Sequence, residues 1–429
     1  MTVPMARSPD LPNHGESIFA QAARVFDGWT DPDTGVRVLR IRTRGEDPAG
    51  PMWSTFYHQS QCFLDGGRQV LLNAKTRGPD GIERQAGLLD LTTGTVESPF
   101  PAGYGVAEVR DRTFLAALSN RLAQGHRAVI WDLRAGRELA SMSLEGWTGP
   151  AVCFLGDSRR AIAAYFRRRT GEAVNFGPME KPKYYERPMQ SRHYLLAPGE
   201  PPRLVLEADG YFCNHVQGCP TDPDLYAYDR WPTPKRDIDQ AIHIRSLDGR
   251  VHEPARLSDE ALRPGDMWGA RDHYVWTPDG TRIVSYLCPK RMTSTSDQPG
   301  FNHFKMEWWL SALDWRTGED LAALYPPGRW GGHMQISPDS RYIVCGGGPE
   351  FLKLFVVEIE RLRRGWNERV VCSCPPSVSV GHNGEPFPYP FVLPDQSGIL
   401  FSAGWPGPDH GVYLAEWPVW LQPQTQEQP

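Results

Sequence analysis

An all-β fold, a seven-bladed β-propeller, is what this sequence predicts, on three observations. A strand–turn–strand pattern recurs seven times, a second hairpin follows most copies, and turn formers are as abundant as aromatics. The copies align on a turn aspartate. The clearest are HYVWTPDGTRIVSYL from His273 and HMQISPDSRYIVCGG from His333. In each, a short alternating strand meets a Pro-Asp turn and then an apolar strand, with proline presetting the backbone angle of the corner. Five more copies start at His58, Tyr104, Pro150, His215 and Tyr389, and consecutive starts lie 46 to 65 residues apart. Such a period is that of a blade-sized unit.

The second hairpins read GLLDLTTG (87–94), AVIWDLRAG (128–136), IHIRSLDG (242–249) and WLSALDWRTG (309–318). Four strands per repeat make a blade. One blade cannot bury both its faces, so blades stack radially and close a ring. The last copy ends at HGVYLAEWP, which is short for a blade, while TGVRVLRIRT (34–43) alternates like a strand. We expect this N-terminal segment to supply the outer strand of the last blade. The domain reading is therefore an N-terminal extension over 1–30, the propeller over 31–418 and a disordered tail over 419–429. Within the extension, FAQAARVF (19–26) reads as a short helix.

Composition narrows the function. Of 429 residues, 23% are charged and 40% hydrophobic, as in an ordinary globular protein, with 42 Gly, 40 Pro and 15 Trp. A net charge of -5 argues against a nucleic-acid partner for the whole surface. No apolar run is long enough to span a bilayer, and MTVPMARSPDLPNHGES lacks the apolar core and cleavage site of a signal peptide. The eight cysteines (Cys62, Cys153, Cys213, Cys219, Cys288, Cys345, Cys372, Cys374) are scattered, with one C-x-C and no second pair at zinc spacing. They read as buried reduced thiols, and the expectation is a cytoplasmic protein. The sequence does not give the oligomeric state.

The chemistry is expected at one face of the disc. The first strand of each blade lines the channel, and the residue six or seven before the turn aspartate marks its start. Those positions hold His58, Tyr104, Pro150, His215, His273, His333 and Tyr389, which is four of only 12 histidines in the chain. Taken singly, each histidine reads as a residue packed between blades; taken together, they read as a pocket. The loops between second and third strands should open on the same face. The stretch 166–194 carries Arg167, Arg168, Arg169, Lys181, Lys183, Arg187 and Arg192 among Tyr184 and Tyr185. It suits an anionic, ring-shaped ligand, since Arg forks match carboxylates; the plain alternative is a solvated charged loop. Lys75 and Arg77, Asn120 and Arg121, and Asp229 and Arg230 are placed on the corresponding loops of other copies. G-x-S-x-G, the P-loop, G-x-G-x-x-G and H-E-x-x-H are absent.

These residues carry a family resemblance. DPDTGVRVLRIRTRG, FYHQSQCFLDGGRQVLLNA and GLLDLTTG resemble the opening of oligogalacturonate lyases and their relatives. HVQGCPTDPDLYAY, a His followed by Pro-Thr-Asp-Pro, resembles a later motif, and DHYVWTPDG and YPFVLPDQSGILFSA match in position. The resemblance covers most of 31–417 and implies a seven-bladed propeller that cleaves uronic-acid glycosides by β-elimination. It also implies a metal, commonly manganese, held by late-blade histidines. His273 matches one ligand. The family's paired histidines before the last turn fall on Phe387 and Tyr389, with His382 and Glu385 nearby as substitutes. Its Cys-His-Glu-Gly base motif is replaced by AYDRWP, with Asp229 close to the base's place. Other propeller lyases use a histidine on an early inner strand, a second histidine, a tyrosine and an arginine. His58, Tyr104 and Arg121 resemble that set, with Arg77 standing where the second histidine would be.

The expected mechanism gives each role a residue. His58 is the candidate base, because imidazole is part-neutral near neutral pH, and Tyr104 the candidate acid. Arg121, aided by Arg77 or Arg187, would hold the carboxylate. His215, Asp229, Arg230, His333 and Tyr389 are candidate substrate contacts, and His273 and His382 candidate ligands for a divalent metal, Mn²⁺ or Zn²⁺. The expected partner is an anionic small molecule or oligosaccharide. Two alternatives stand beside this reading: a non-catalytic binding propeller, and a propeller enzyme for another small molecule in a biosynthetic pathway.

Overall fold

The computed structural model describes residues 16–43, 52–55, 60–78, 81–120, 126–168, 189–232, 241–252, 266–291, 309–326, 333–346, 353–374, 389–403 and 410–421. They form seven antiparallel sheets, the blades of a propeller. Blades 2 to 6 each have four strands in chain order, spanning 105–143, 148–209, 211–252, 266–324 and 334–373. Blade 1 (52–97) has a first strand in two pieces, Met52–Ser54 and Phe63–Leu64, both paired with Gln69–Gly78. First strands of neighbouring blades pack on one another around the axis, as between blades 2 and 3, 3 and 4, 5 and 6, and 6 and 7.

Closure uses the expected segment. Arg37–Thr43 pairs antiparallel with Gly411–Glu416, from Val38 opposite Ala415 to Thr43 opposite Gly411. Gly28–Thr30, within the segment read as an extension, adds a fifth strand outside it. Arg37–Thr43 buries apolar residues on both its faces, since a blade lies between two others, while Arg37 and Arg40 stay exposed. Val38 enters the core shared with blade 6, and Leu39 and Ile41 enter the core shared with blade 1. The DPDTG motif makes the turn between these two strands. The Asp31 carboxylate accepts the Asp33 and Thr34 amides at 3.1 and 2.9 Å and the blade 6 amide of Ser373 at 2.9 Å. Burial alone would raise this carboxyl, but the hydrogen bonds outweigh it and hold it below the ordinary value.

On the opposite face the corners of neighbouring blades are linked at four junctions. Gly66 N donates to Asp111, Arg160 pairs with Asp224, Asp279 N donates to Ser340 Oγ, and Gln396 Nε2 donates to Asp339. At Gly280 (φ +65°) a Cβ would stand 2.1 Å from Thr221 Oγ1 of blade 4, so the Pro-Asp-Gly corner requires glycine for both angle and room. The helix Ile18–Ala22, close to the short helix expected, seals the seam of blades 7 and 1. Its Ile18 and Phe19 amides donate to Asp395 and Ser397 at 2.8 and 3.1 Å, so the blade 7 turn caps it.

Apolar side chains fill the spaces between blades, as the radial stacking requires. A buried ion pair lies among them between blades 2 and 3. Glu108 accepts from Arg110 at 3.2 Å and from the Phe154 amide, and Arg110 donates to the Phe154 carbonyl at 3.0 Å. Burial pushes the Glu108 carboxyl up against the pull of Arg110. Seven cysteines are free and buried, in line with reduced thiols; the Cys288 side chain lies outside the described residues. Among the described residues, no helix is long and apolar enough to cross a membrane.

Candidate functional site

Four of the seven predicted positions converge. The rings of His215 and His273 lie 6.4 Å apart, those of His273 and His333 4.9 Å, and those of His333 and Tyr389 4.4 Å. They form an arc across the first strands of blades 4 to 7. The backbone explains half of it. In blade 4, His215 and Val216 together face Tyr228; in blade 5, His273 and Tyr274 face Ser285. Each is a β-bulge, and each histidine sits in the left-handed region, at φ +50° and +52°. That conformation costs a non-glycine residue roughly 1–2 kcal/mol. Bulges re-aim side chains and are enriched beside functional sites. Here the same strained residue type recurs on two adjacent blades. The Tyr274 hydroxyl donates to the His215 carbonyl, and Gln217 Nε2 donates to the Tyr274 carbonyl at 2.9 Å, so the bulges brace each other. At the other end, Thr55 Oγ1 of blade 1 donates to the Tyr389 carbonyl at 2.9 Å.

Behind His215 stands a carboxylate. His215 Nδ1 donates to Asp229 Oδ2 at 2.6 Å, with Asp229 fully buried and the His215 side chain 24% exposed. The bond assigns the proton to Nδ1 and leaves Nε2 as the nitrogen with the basic lone pair. Asp229 and Arg230 lie within the strand Leu225–Pro232, not on a loop as the sequence suggested. Alternation separates them: Arg230 stacks over the Tyr211 ring at 3.6 Å. Tyr228, on the face away from Asp229, stacks on His243 and meets His193 edge-on. His193 is fully buried, donating from Nε2 to the Cys213 carbonyl at 3.1 Å, and burial pushes its imidazole down to about 4.

The early-blade candidates are disposed differently. His58, Arg121, Arg187 and His382 lie outside the described residues, as does the side chain of Arg77 on Gln69–Gly78. The Tyr104 hydroxyl accepts from Arg127 Nη1 at 3.0 Å, and Arg127 also reaches Glu138 at 2.7 Å and Ser141 at 2.8 Å. The hydroxyl is thus held by the outer strands of its own blade. Arg167, Arg168 and Arg192 lie on the strands Ala161–Arg168 and Met189–Leu196, which take both ends of the stretch read as one long loop. Sequence reasoning missed Gln217, Tyr274 and Arg127, because only cross-strand and cross-blade register brings them to these histidines and this tyrosine.

Imidazoles and a carboxylate suit a divalent metal in kind. Among the described residues, however, no three His, Cys, Asp or Glu side chains group at metal-binding spacing. Tyr389, standing where the resemblance calls for a histidine ligand, lays its ring against His333 instead. The described residues do not make a metal centre by themselves.

Fold and site together define a seven-bladed propeller with an imidazole arc backed by a buried carboxylate. Against known proteins, no family model matches the chain, and no curated protein sequence does. Its fold is similar to that of an oligogalacturonate lyase solved in complex with manganese, at 19% identity and a TM-score of 0.66, over 92% of this chain and 96% of that one. It is likewise similar to an oligogalacturonate lyase from Vibrio parahaemolyticus, at 16% identity and a TM-score of 0.66, over 92% and 97%. At such identities the likeness establishes the propeller fold.

Proposed function

We propose that this propeller is a lyase that cleaves a uronic-acid-containing oligosaccharide by β-elimination, with the blade 4–7 arc as its site. The observation that carries the proposal is the His215–Asp229 pair at the head of that arc. His215 Nε2 takes the proton from the carbon beside the uronate carboxylate. Asp229 fixes the tautomer and stabilises the imidazolium that forms, the division of labour seen in other His–Asp pairs. The bond to the glycosidic oxygen on the next carbon breaks, its electrons leave with that oxygen, and a carbon–carbon double bond conjugated to the carboxylate remains. His273, whose ring lies 6.4 Å from that of His215, would act as an imidazolium and give a proton to the departing oxygen. The two solved lyases of this fold, which by name act on oligogalacturonate, support the substrate class.

The test is His215→Ala assayed on a panel of uronate oligosaccharides by the ultraviolet absorbance of the unsaturated product. Loss of a general base should lower kcat by about 10²- to 10⁴-fold. Undiminished cleavage by the variant, or no cleavage of any uronide by the wild type, would overturn the assignment. The alternative of a non-catalytic binding propeller predicts the second outcome.

A further inference from the structure

We propose that Arg167, on blade 3, is the anchor of a separate subsite for a sugar carboxylate, next to the blade at which the arc begins. Two guanidinium groups lie over the ring of Trp147, Arg167 at 4.6 Å and Arg192 at 4.8 Å. Trp147 immediately precedes the first strand of blade 3, and beneath the two cations it is 3% exposed. The two arginines share a ring but not an electrostatic state. Arg192 is neutralised in place, with Nε and Nη2 donating to Glu207 Oε1 at 2.8 and 2.6 Å. Arg167 is oriented by a neutral group, its Nε donating to Gln190 Oε1 at 2.8 Å. Among the described residues no carboxylate pairs with it.

A half-buried guanidinium fixed on two sides and left with its charge has a definite use. Stacking on indole and the Gln190 bond hold the plane, so little side-chain entropy remains to be lost on binding. With Nε engaged, Nη1 and Nη2 remain as parallel donors that match the two oxygens of a carboxylate. A structural cation would be expected to look like Arg192. Position agrees with the role, since Arg167 lies next to the end of Ala161–Arg168, the second strand of blade 3, on the face from which the first strands start. Arg167 and Trp147 lie on the side of blade 3 that meets blade 2, in line with Ala161, Ala163 and Tyr165, and His215 stands on blade 4, across blade 3 from them. An oligouronide bears a carboxylate on every acidic sugar, so a chain with one sugar at His215 can present a neighbouring sugar's carboxylate to Arg167. The inference rests on the proposed substrate class, but its binding is separable from catalysis.

The experiment is calorimetric titration of trigalacturonate into the whole protein, wild type against Arg167→Ala, Arg167→Lys and Arg192→Ala, with steady-state kinetics on the same substrate. Loss of one charge-assisted fork should weaken binding by about 10- to 100-fold. KM should rise in parallel while kcat stays within about twofold, since the contact is the same in ground and transition states. Arg167→Lys keeps the charge and the packing but loses the fork, and should fall between; Arg192→Ala, which removes a neutralised group, should match wild type. Equal affinity of wild type and Arg167→Ala, or no binding of trigalacturonate by wild type, would overturn the subsite. Binding that depends on Arg167 without any cleavage would uphold the subsite and sink only the lyase reading.

Discussion

Blade 2 and blade 4 begin with the same ingredients, an aromatic polar residue placed seven positions before a turn aspartate, and put them to opposite uses. In blade 4 the strand bulges at His215, the side chain is re-aimed, and the buried Asp229 of the second strand meets it at 2.6 Å. In blade 2 the Tyr104 hydroxyl is taken by Arg127 of the third strand, and the buried charge of the first strand, Glu108, is spent on Arg110 and the backbone of blade 3. One blade uses its polar residues to hold a seam; the other pairs a partly exposed imidazole with a buried carboxylate. Blade 2 bulges too, but at Ala107 and not at Tyr104, so equivalent positions in a repeat are not equivalent chemically: the place of the bulge and the cross-strand partner decide.

The largest effect that could break this contrast is on catalysis. Asp229→Asn keeps the shape but lets the His215 tautomer reverse, and should lower kcat by about 10²- to 10⁴-fold with little change in KM. His58→Ala, assayed beside it, should stay within about tenfold of wild type. If His58→Ala abolishes cleavage and Asp229→Asn does not, the site belongs to the early blades.

A smaller effect sharpens the line between histidines that act and histidines that pack. His193 is neutral in the fold because burial holds it at about 4, against an ordinary value of 6.5. The unfolded chain therefore binds a proton that the native one refuses. Stability present above the ordinary value must fall as pH drops from about 6.5 towards 4, by up to about 3 kcal/mol, with no further loss below. Chemical denaturation at several pH values should show that slope, and His193→Gln should flatten it. An unchanged slope in the variant would mean the seam histidine is not the group that titrates.

The smallest expected effect concerns metal. With Tyr389 against His333 in a ligand's place, extensive chelation should leave cleavage within about twofold. A loss restored by Mn²⁺ would instead bring His382, or another residue outside the described set, into the late half of the site.

The repeat made the propeller legible. Its period, the turn aspartates and the alternation of TGVRVLRIRT were enough to predict seven blades and the closing strand. The histidine positions were legible as a set, because they recur at one offset from the turn. Their division was not. A bulge adds one residue to one strand, and its presence depends on the strand opposite; nothing in HVQGCP or HYVWTP read alone marks a left-handed histidine. Asp229 and Arg230 read as loop residues because YDRWPTP is rich in turn formers, yet pairing with Ala241–Ser246 up to Arg230, and with Tyr211 and Phe212 beyond it, keeps the chain extended through Pro232.

By itself, then, the sequence determined what local pattern can encode: strand period, corner chemistry, blade number and the segment that closes the ring. Tertiary structure alone decided which polar residues face one another. The Asp229 carboxylate reaches His215 through strand register, Tyr389 meets His333 across a blade boundary, and Arg167 and Arg192 differ only in what the neighbouring strand offers them. Hydrogen bonds and charge pairs act over a few ångströms, and in a propeller those ångströms are set between strands and blades distant in sequence.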